Sequence, residues 1–301
     1  MKKIISLLLS LLLLCAPAFA SAETIVTSFY PIYLFALNLL DGTEGVTLTS
    51  LAEPGAGCLH DYQLQTGDMK ALDKADAFLI NGAGMEGYLE GVFEAFPTLP
   101  VVDASSGVAL LEDCSDHDHD HEGHDHDHAV NAHIWLDAQN AILMVNNLAE
   151  GLMAALPSQA DVIAANRNAY TTRLTILDAE IKSALEEVPN RDIITFHEAF
   201  PYFAKAYGLN VAAVVNRDPD DALSPRALAE LCKLVESLGA PPLFVEPQYE
   251  DMAAQTISRE TGAALHTLDP IVTGPDTDVP LTYYEDVMRQ NLAVLLDALG
   301  E

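Results

Sequence analysis

Residues Ile193–Val215 read IITFHEAFPYFAKAYGLNVAAVV. The run Ile193–Phe196 is apolar and β-prone, Ala199–Tyr207 has helical spacing and stops at Gly208, and Val211–Val215 is β-prone again. Strand, helix and strand of this length predict a parallel pair with a crossover helix. The rhythm continues downstream. Ser224-Pro225 is a helix start, with Ser as N-cap and Pro in the first turn, and that helix ends at Gly239. Leu243–Val245 is a strand, Asp251–Thr261 a helix stopped by Gly262, Ala264–Leu268 a strand and Tyr283–Leu299 a closing helix. The first half repeats the pattern. Strands are expected at Ile25–Ser28, Val46–Leu51, Ala77–Ile80 and Pro100–Ala104, and helices at Tyr30–Leu40, Thr66–Ala75 and Tyr88–Phe96. Between the halves, Ser158–Val188 has neither Gly nor Pro. Leu174, Leu177, Ile181, Leu185 and Val188 recur there at helical spacing. This stretch is either a rigid bridge between two lobes or a surface helix of one larger domain; the repetition on either side favours the bridge. The fold class expected is α/β, with two βα lobes of parallel-type sheets joined by one long bridging helix. Residues 1–22 form a leader, 23–157 the first lobe, 158–188 the bridge and 189–301 the second lobe.

The 301 residues carry 14 Lys+Arg against 45 Asp+Glu, a formal charge of −31, and half of them are hydrophobic. That apolar content separates the chain from disordered acidic proteins. The charge argues against nucleic acid as a partner, because phosphate neutralisation needs excess Lys and Arg. It suits a small cation, although acidity also serves solubility. Lys2 and Lys3, the apolar run Ile4–Cys15, and the patterns Ala18-Phe19-Ala20 and Ala20-Ser21-Ala22 read as a secretory signal peptide cleaved after Ala20 or Ala22. Cys15 raises lipid attachment, but Leu14 stands where a small residue belongs, which favours the unanchored exported form. Cys58, Cys114 and Cys232 remain after cleavage, with no C-x-x-C pair. Cys58 and Cys114 form a disulfide or stay separate thiols.

Three isolated histidines stand at expected strand ends or loop starts: His60, after a Pro-Gly-Ala-Gly turn, His133, opening His-Ile-Trp-Leu-Asp, and His197, directly after Ile193–Phe196. Ligands collect outside the carboxyl ends of strands in open α/β sheets. Asp269 holds the same relation to Ala264–Leu268, and Glu246, at the end of Leu243–Val245, competes for the carboxylate role. Three imidazoles and one carboxylate suit tetrahedral Zn2+. His266, within a strand and at an odd offset from Asp269, reads as structural. A second metal signal is Asp116–His128, with six His (His117, His119, His121, His124, His126 and His128) and six acids in thirteen residues. A tract without apolar residues packs no core, and its ligands suit weak, multiple binding of divalent ions.

Ile25–Tyr33, Cys58–Tyr62 (Cys-Leu-His-Asp-Tyr), Asn131–Asp137 (Asn-Ala-His-Ile-Trp-Leu-Asp), Phe196–Leu209, Phe244–Tyr249 (Phe-Val-Glu-Pro-Gln-Tyr) and Leu268–Pro270 follow one another in an order that resembles the ZnuA-type zinc-binding proteins, the solute-binding components of ABC importers. The resemblance runs over nearly the whole mature chain. It implies two βα lobes on a long helix, a metal in the interlobe cleft, and His60, His133, His197 and Asp269 as its ligands. It implies an exported, periplasmic monomer that delivers its ion to a membrane permease. Manganese-binding relatives tend to carry a carboxylate at the third ligand, where this chain has His197, and nitrogen donors favour zinc. The alternatives are a manganese or other divalent-metal binder, a zinc-dependent hydrolase with Glu198 or Asp61 as base, and a zinc buffer working through the tract. The chain has no H-E-x-x-H or G-x-S-x-G motif.

Overall fold

The computed structural model describes residues 22–54, 59, 62–112, 130–215, 224–248 and 252–300. The leader with Cys15, the loop holding Cys58, His60 and Asp61, Cys114, the tract Asp116–His128 and the helix start at Asp251 lie outside the described residues. Of the described cysteines, Cys232 is a free thiol.

Two four-stranded parallel sheets form, one from each half. The first holds β1 (Glu23–Thr27), β2 (Val46–Ser50), β3 (Ala77–Ile80) and β4 (Val101–Asp103) in the order β2-β1-β3-β4. The second holds β5 (Asp192–Thr195), β6 (Asn210–Val214), β7 (Leu243–Val245) and β8 (Leu265–Thr267) in the order β6-β5-β7-β8. Registers such as Ile25↔Ala77 and Ile194↔Leu243 align the inner strands. Position in the sheet explains strand composition. Inner β3 is buried along its whole length and is wholly apolar, whereas edge strand β2, Val-Thr-Leu-Thr-Ser, alternates in exposure. In both sheets the chain starts at an inner strand, steps to one side and then crosses to the other. The reversal between β1 and β3, and between β5 and β7, opens a crevice at the carboxyl ends of those strands.

Helices α1 (Tyr30–Leu39), α2 (Thr66–Leu72) and α3 (Leu89–Ala95) belong to the first half. An additional helix beyond those expected from the sequence is α4 (Ala138–Ala155), 18 residues long and capped by the Asp137 carboxylate, which accepts from the Gln139 amide. Pro157 then turns the chain, and the path bends by 117° into α5 (Ala160–Glu186). With 27 residues, α5 is about 40 Å long. Its buried face is Ile163, Tyr170, Leu174, Leu177, Ile181 and Leu185. It packs on α1 and α4 of the first half, and on α6 (Pro201–Tyr207) and α9 (Tyr283–Leu299) of the second. The remaining helices are α7 (Pro225–Ser237) and α8 (Met252–Thr261). Among the described residues no single helix is long and apolar enough to cross a membrane.

Polar stitches along α5 join the halves. Asp178 accepts from Gln139 on α4 at 2.7 Å and from the Tyr207 hydroxyl on α6 at 3.2 Å. Arg173 donates to buried Glu285 on α9 at 2.7 Å, to Asn38 on α1, and to the Leu281 carbonyl at 3.2 Å. Trp135, fully buried, donates its indole N–H to the Pro270 carbonyl at 2.7 Å, and the Tyr284 hydroxyl donates to the Trp135 carbonyl at 2.6 Å. Two neighbours on α5 test this packing: Leu177 is fully buried and Ile176 is 59% exposed. Leu177→Ala is expected to cost about 2–5 kcal/mol in urea unfolding. Ile176→Ala should stay within about 0.5 kcal/mol. Equal effects would contradict the assigned faces.

Candidate metal site

His197 leaves the second sheet two residues after β5, where the pairing continues through Phe196, whose N–H meets the Phe244 carbonyl at 3.1 Å. Pro201 then starts α6, and Gly208, at φ 72°, ends it in the left-handed conformation. The other imidazole has a different setting from the expected strand end. His133 precedes a 3-10 turn, Ile134–Leu136, that leads into α4. Asn81, at the carboxyl end of β3, holds the preceding peptide by donating to the Ala132 carbonyl at 3.0 Å. Gly82 follows at φ 75°, and a Cβ there would stand 2.0 Å from the Asp103 carboxylate, so the turn beside the crevice requires glycine.

The two rings meet across the lobes. His133 Nε2 and His197 Nε2 are 3.2 Å apart, with ring centroids at 5.0 Å and planes at 82°, and both residues are buried. The tautomer of His133 follows from its other nitrogen. The Asn131 amide donates to the Glu198 carbonyl at 2.8 Å, and its oxygen accepts from the His133 backbone N–H at 3.0 Å. Those two partners fix which end of the amide is oxygen. That same oxygen lies 3.2 Å from His133 Nδ1, so a neutral His133 in this contact has its proton on Nδ1 and its lone pair on Nε2, the nitrogen that faces His197. An imidazole so arranged is ready to ligate a metal.

The carboxylates come from the same lobe as His197. Glu246 directly follows β7 and is 4% exposed. Gln248 donates to its Oε2, while Oε1 is buried and has no hydrogen-bond partner among the described residues. Burial pushes its pKa up to about 8, opposed by the Gln248 bond and reinforced by the nearby Asp269 charge. Burial also raises the Asp269 pKa, opposed by the Ile271 N–H, which donates to the carboxylate at 2.7 Å. Asn291 on α9 grips the Asp269 backbone from both sides, at 2.8 and 2.7 Å. Ile271 sits at φ 65° while fully buried, a left-handed conformation that a β-branched residue adopts only when its surroundings impose it.

The structure thus brings His133 to His197 and Glu246 to the neighbourhood of Asp269. Among the described residues no group of three His, Cys, Asp or Glu side chains forms a metal cage on its own. His60 and the six tract histidines lie outside the described residues. His266 stacks near Phe244, with ring centroids 5.6 Å apart, inside the second sheet. Asn131 and Trp135 both stand in the Asn-Ala-His-Ile-Trp-Leu-Asp motif, where the sequence alone assigns neither a role. The Asn-x-His spacing, which lets an amide reach the ring two residues on, was the available signal.

The raised Glu246 pKa has a definite sign. The unfolded carboxyl ionises near 4.5 and the folded one near 8. Between those values the folded chain keeps a proton the unfolded chain has lost. The stabilisation is full below about 4.5 and is lost as pH rises through about 8. In chelator-treated protein, parent stability should fall between pH 5 and pH 8 relative to Glu246→Gln, read by urea unfolding. Parallel curves for the two proteins would contradict the buried, strained carboxyl.

Residues 25–298 match the ZnuA family, described as "Zinc-uptake complex component A periplasmic". The chain is 30% identical over 288 residues to zinc-binding protein AdcA of Streptococcus pyogenes serotype M6, covering 90% of this chain and 55% of that protein. The chain therefore spans about half the length of that streptococcal relative. It is 31% identical over 280 residues to the high-affinity zinc uptake system protein ZnuA of Haemophilus ducreyi, covering 87% of this chain and 89% of that one. Among solved structures, the SBP FpvC from Pseudomonas aeruginosa in complex with Mn2+ superposes with a TM-score of 0.77 at 26% identity, covering 93% of this chain and 99% of that chain. The paired parallel-sheet lobes and the match over most of the sequence place this chain in the ZnuA family.

Proposed function

We propose that this protein is an exported solute-binding protein that takes Zn2+ into the cleft between its lobes and delivers it to an ABC importer permease. The observation that carries the reading is the pair of buried imidazoles, one from each lobe, whose Nε2 atoms face each other at 3.2 Å. Family membership and the names of the zinc-binding relatives support zinc as the cargo. Because FpvC was solved with Mn2+, the shared fold does not choose the ion, and the donors must. Nitrogen donors favour zinc over the harder manganese ion.

We assign His60, His133, His197 and Asp269 as the ligands, with Glu246 as the alternative carboxylate. The buried Oε1 of Glu246, without a hydrogen-bond partner among the described residues, is what gives that alternative its support. Neutral imidazoles are required, so affinity falls as pH drops through the histidine range. The protein acts as a monomer in the periplasm, or at the membrane face if Cys15 is lipidated. It performs no catalysis, in keeping with a family of uptake components. The tract residues His117, His119, His121, His124, His126 and His128 supply weak capture sites that raise the zinc concentration near the cleft.

Isothermal titration tests the ligand set. His60→Ala, His133→Ala and His197→Ala should each weaken the tight site by more than the ~10–100-fold that loss of an outer-sphere partner costs. Thermal unfolding should show that each variant still folds, because both lobes keep their cores. Unchanged tight binding in any two of the three would overturn the assignment. Deleting Asp116–His128 should remove the weak extra zinc equivalents at neutral pH and leave one tight site near its original strength. Equal zinc counts in the deleted and parent proteins would rule out capture by the tract, and loss of the tight site would move the tract into the cleft.

A further inference from the structure

Asn131 is 3% exposed and lies beside His133, two residues before it in the chain. Its backbone is tied at both ends: its N–H donates to the Leu111 carbonyl at 2.9 Å, and its carbonyl accepts from the Tyr202 hydroxyl on α6 at 2.9 Å. The same hydroxyl accepts from the Leu111 N–H at 2.8 Å. The side chain then divides its work. Its oxygen receives the His133 backbone N–H and faces His133 Nδ1, and its nitrogen crosses to the carbonyl of Glu198, next to His197. One amide therefore touches the ring from the first lobe and the backbone beside the ring from the second.

We propose that Asn131 is a positioning residue for the cleft metal, which fixes His133 as the Nδ1–H tautomer and ties it across the lobes to the His197 segment so that both Nε2 atoms converge on one ion. This rests on the zinc-binding reading above. An alanine here removes both functions, whereas an aspartate keeps an oxygen for His133 Nδ1 but turns the contact with the Glu198 carbonyl into two facing acceptors. The two substitutions separate the tautomer from the tie.

The experiment uses the full mature chain with Asn131→Ala, Asn131→Asp and, as a reference for the site itself, His133→Ala. Zinc affinity comes from chelator competition, the His133 tautomer from long-range 1H–15N NMR of metal-free protein, zinc release from stopped-flow mixing with chelator, and folding from thermal unfolding. Asn131→Ala should lose about 10–100-fold in affinity, with His133 moving out of the Nδ1–H form. Asn131→Asp should keep the Nδ1–H signature yet release zinc faster than the parent; being nearly isosteric, it keeps the test readable should the alanine variant fail to fold. Parent-like affinity in Asn131→Ala would overturn the proposal. So would weakened affinity with an unchanged tautomer, which marks a merely structural residue, or a parent-like release rate in Asn131→Asp. If His133→Ala binds zinc like the parent, the site reading falls and this proposal with it. If His133→Ala loses zinc and Asn131→Ala does not, the positioning role alone falls.

Discussion

His133 and His197 belong to different lobes, and the 3.2 Å between their Nε2 atoms is a distance that the rest of the molecule has to hold. Neither lobe can set it alone. The first sheet supplies an anchor in Asn81, at the end of β3, which grips the peptide before His133. The second supplies β5, whose continuation places His197. Between them the separation is kept by α5, which packs on helices of both halves, and by the Trp135 indole N–H, which reaches the Pro270 carbonyl. Pro270 adjoins Asp269, so the contact that joins the lobes also positions the segment carrying a carboxylate.

Electrostatics give this arrangement its direction. The buried carboxyl of Glu246 and the partly buried one of Asp269 resist ionisation because desolvating a charge is costly. A divalent cation reverses that cost, since a nearby positive charge favours the ionised form. The strained backbone at Ile271, fully buried two residues beyond Asp269, belongs to the same pattern: packing imposes a local geometry that the chain alone would not adopt.

Much of this was legible in the sequence because the decisive signals are local. Ser224-Pro225 marks a helix start, and Ser224 indeed accepts from the Ala227 amide at 3.2 Å. Gly208, Gly239 and Gly262 end helices and have positive φ. The long Gly- and Pro-free run is α5. Other features depend on tertiary context. Helix α4 is weakly marked although Ala141, Met144, Val145, Leu148 and Leu152 have helical spacing, because Asn140, Asn146, Asn147 and Gly151 lower its intrinsic helix propensity and its stability comes from packing. The role of Asn131 is hidden for a different reason. Its partner Glu198 is 67 residues away, and which carbonyl an amide meets across two lobes depends on how they pack. The same holds for the choice between Asp269 and Glu246, which end neighbouring strands and differ in the company they keep: a backbone N–H for one, a glutamine amide for the other.

The central claim is that the tight site is a nitrogen-rich cage built around the two facing imidazoles. Zinc K-edge X-ray absorption of the mature protein loaded with one equivalent of Zn2+ tests it most directly. The account predicts a first shell of nitrogen and oxygen at about 2.0–2.1 Å, with multiple scattering from three imidazoles. A shell with fewer than two imidazoles, or with sulfur at about 2.3 Å, would contradict it.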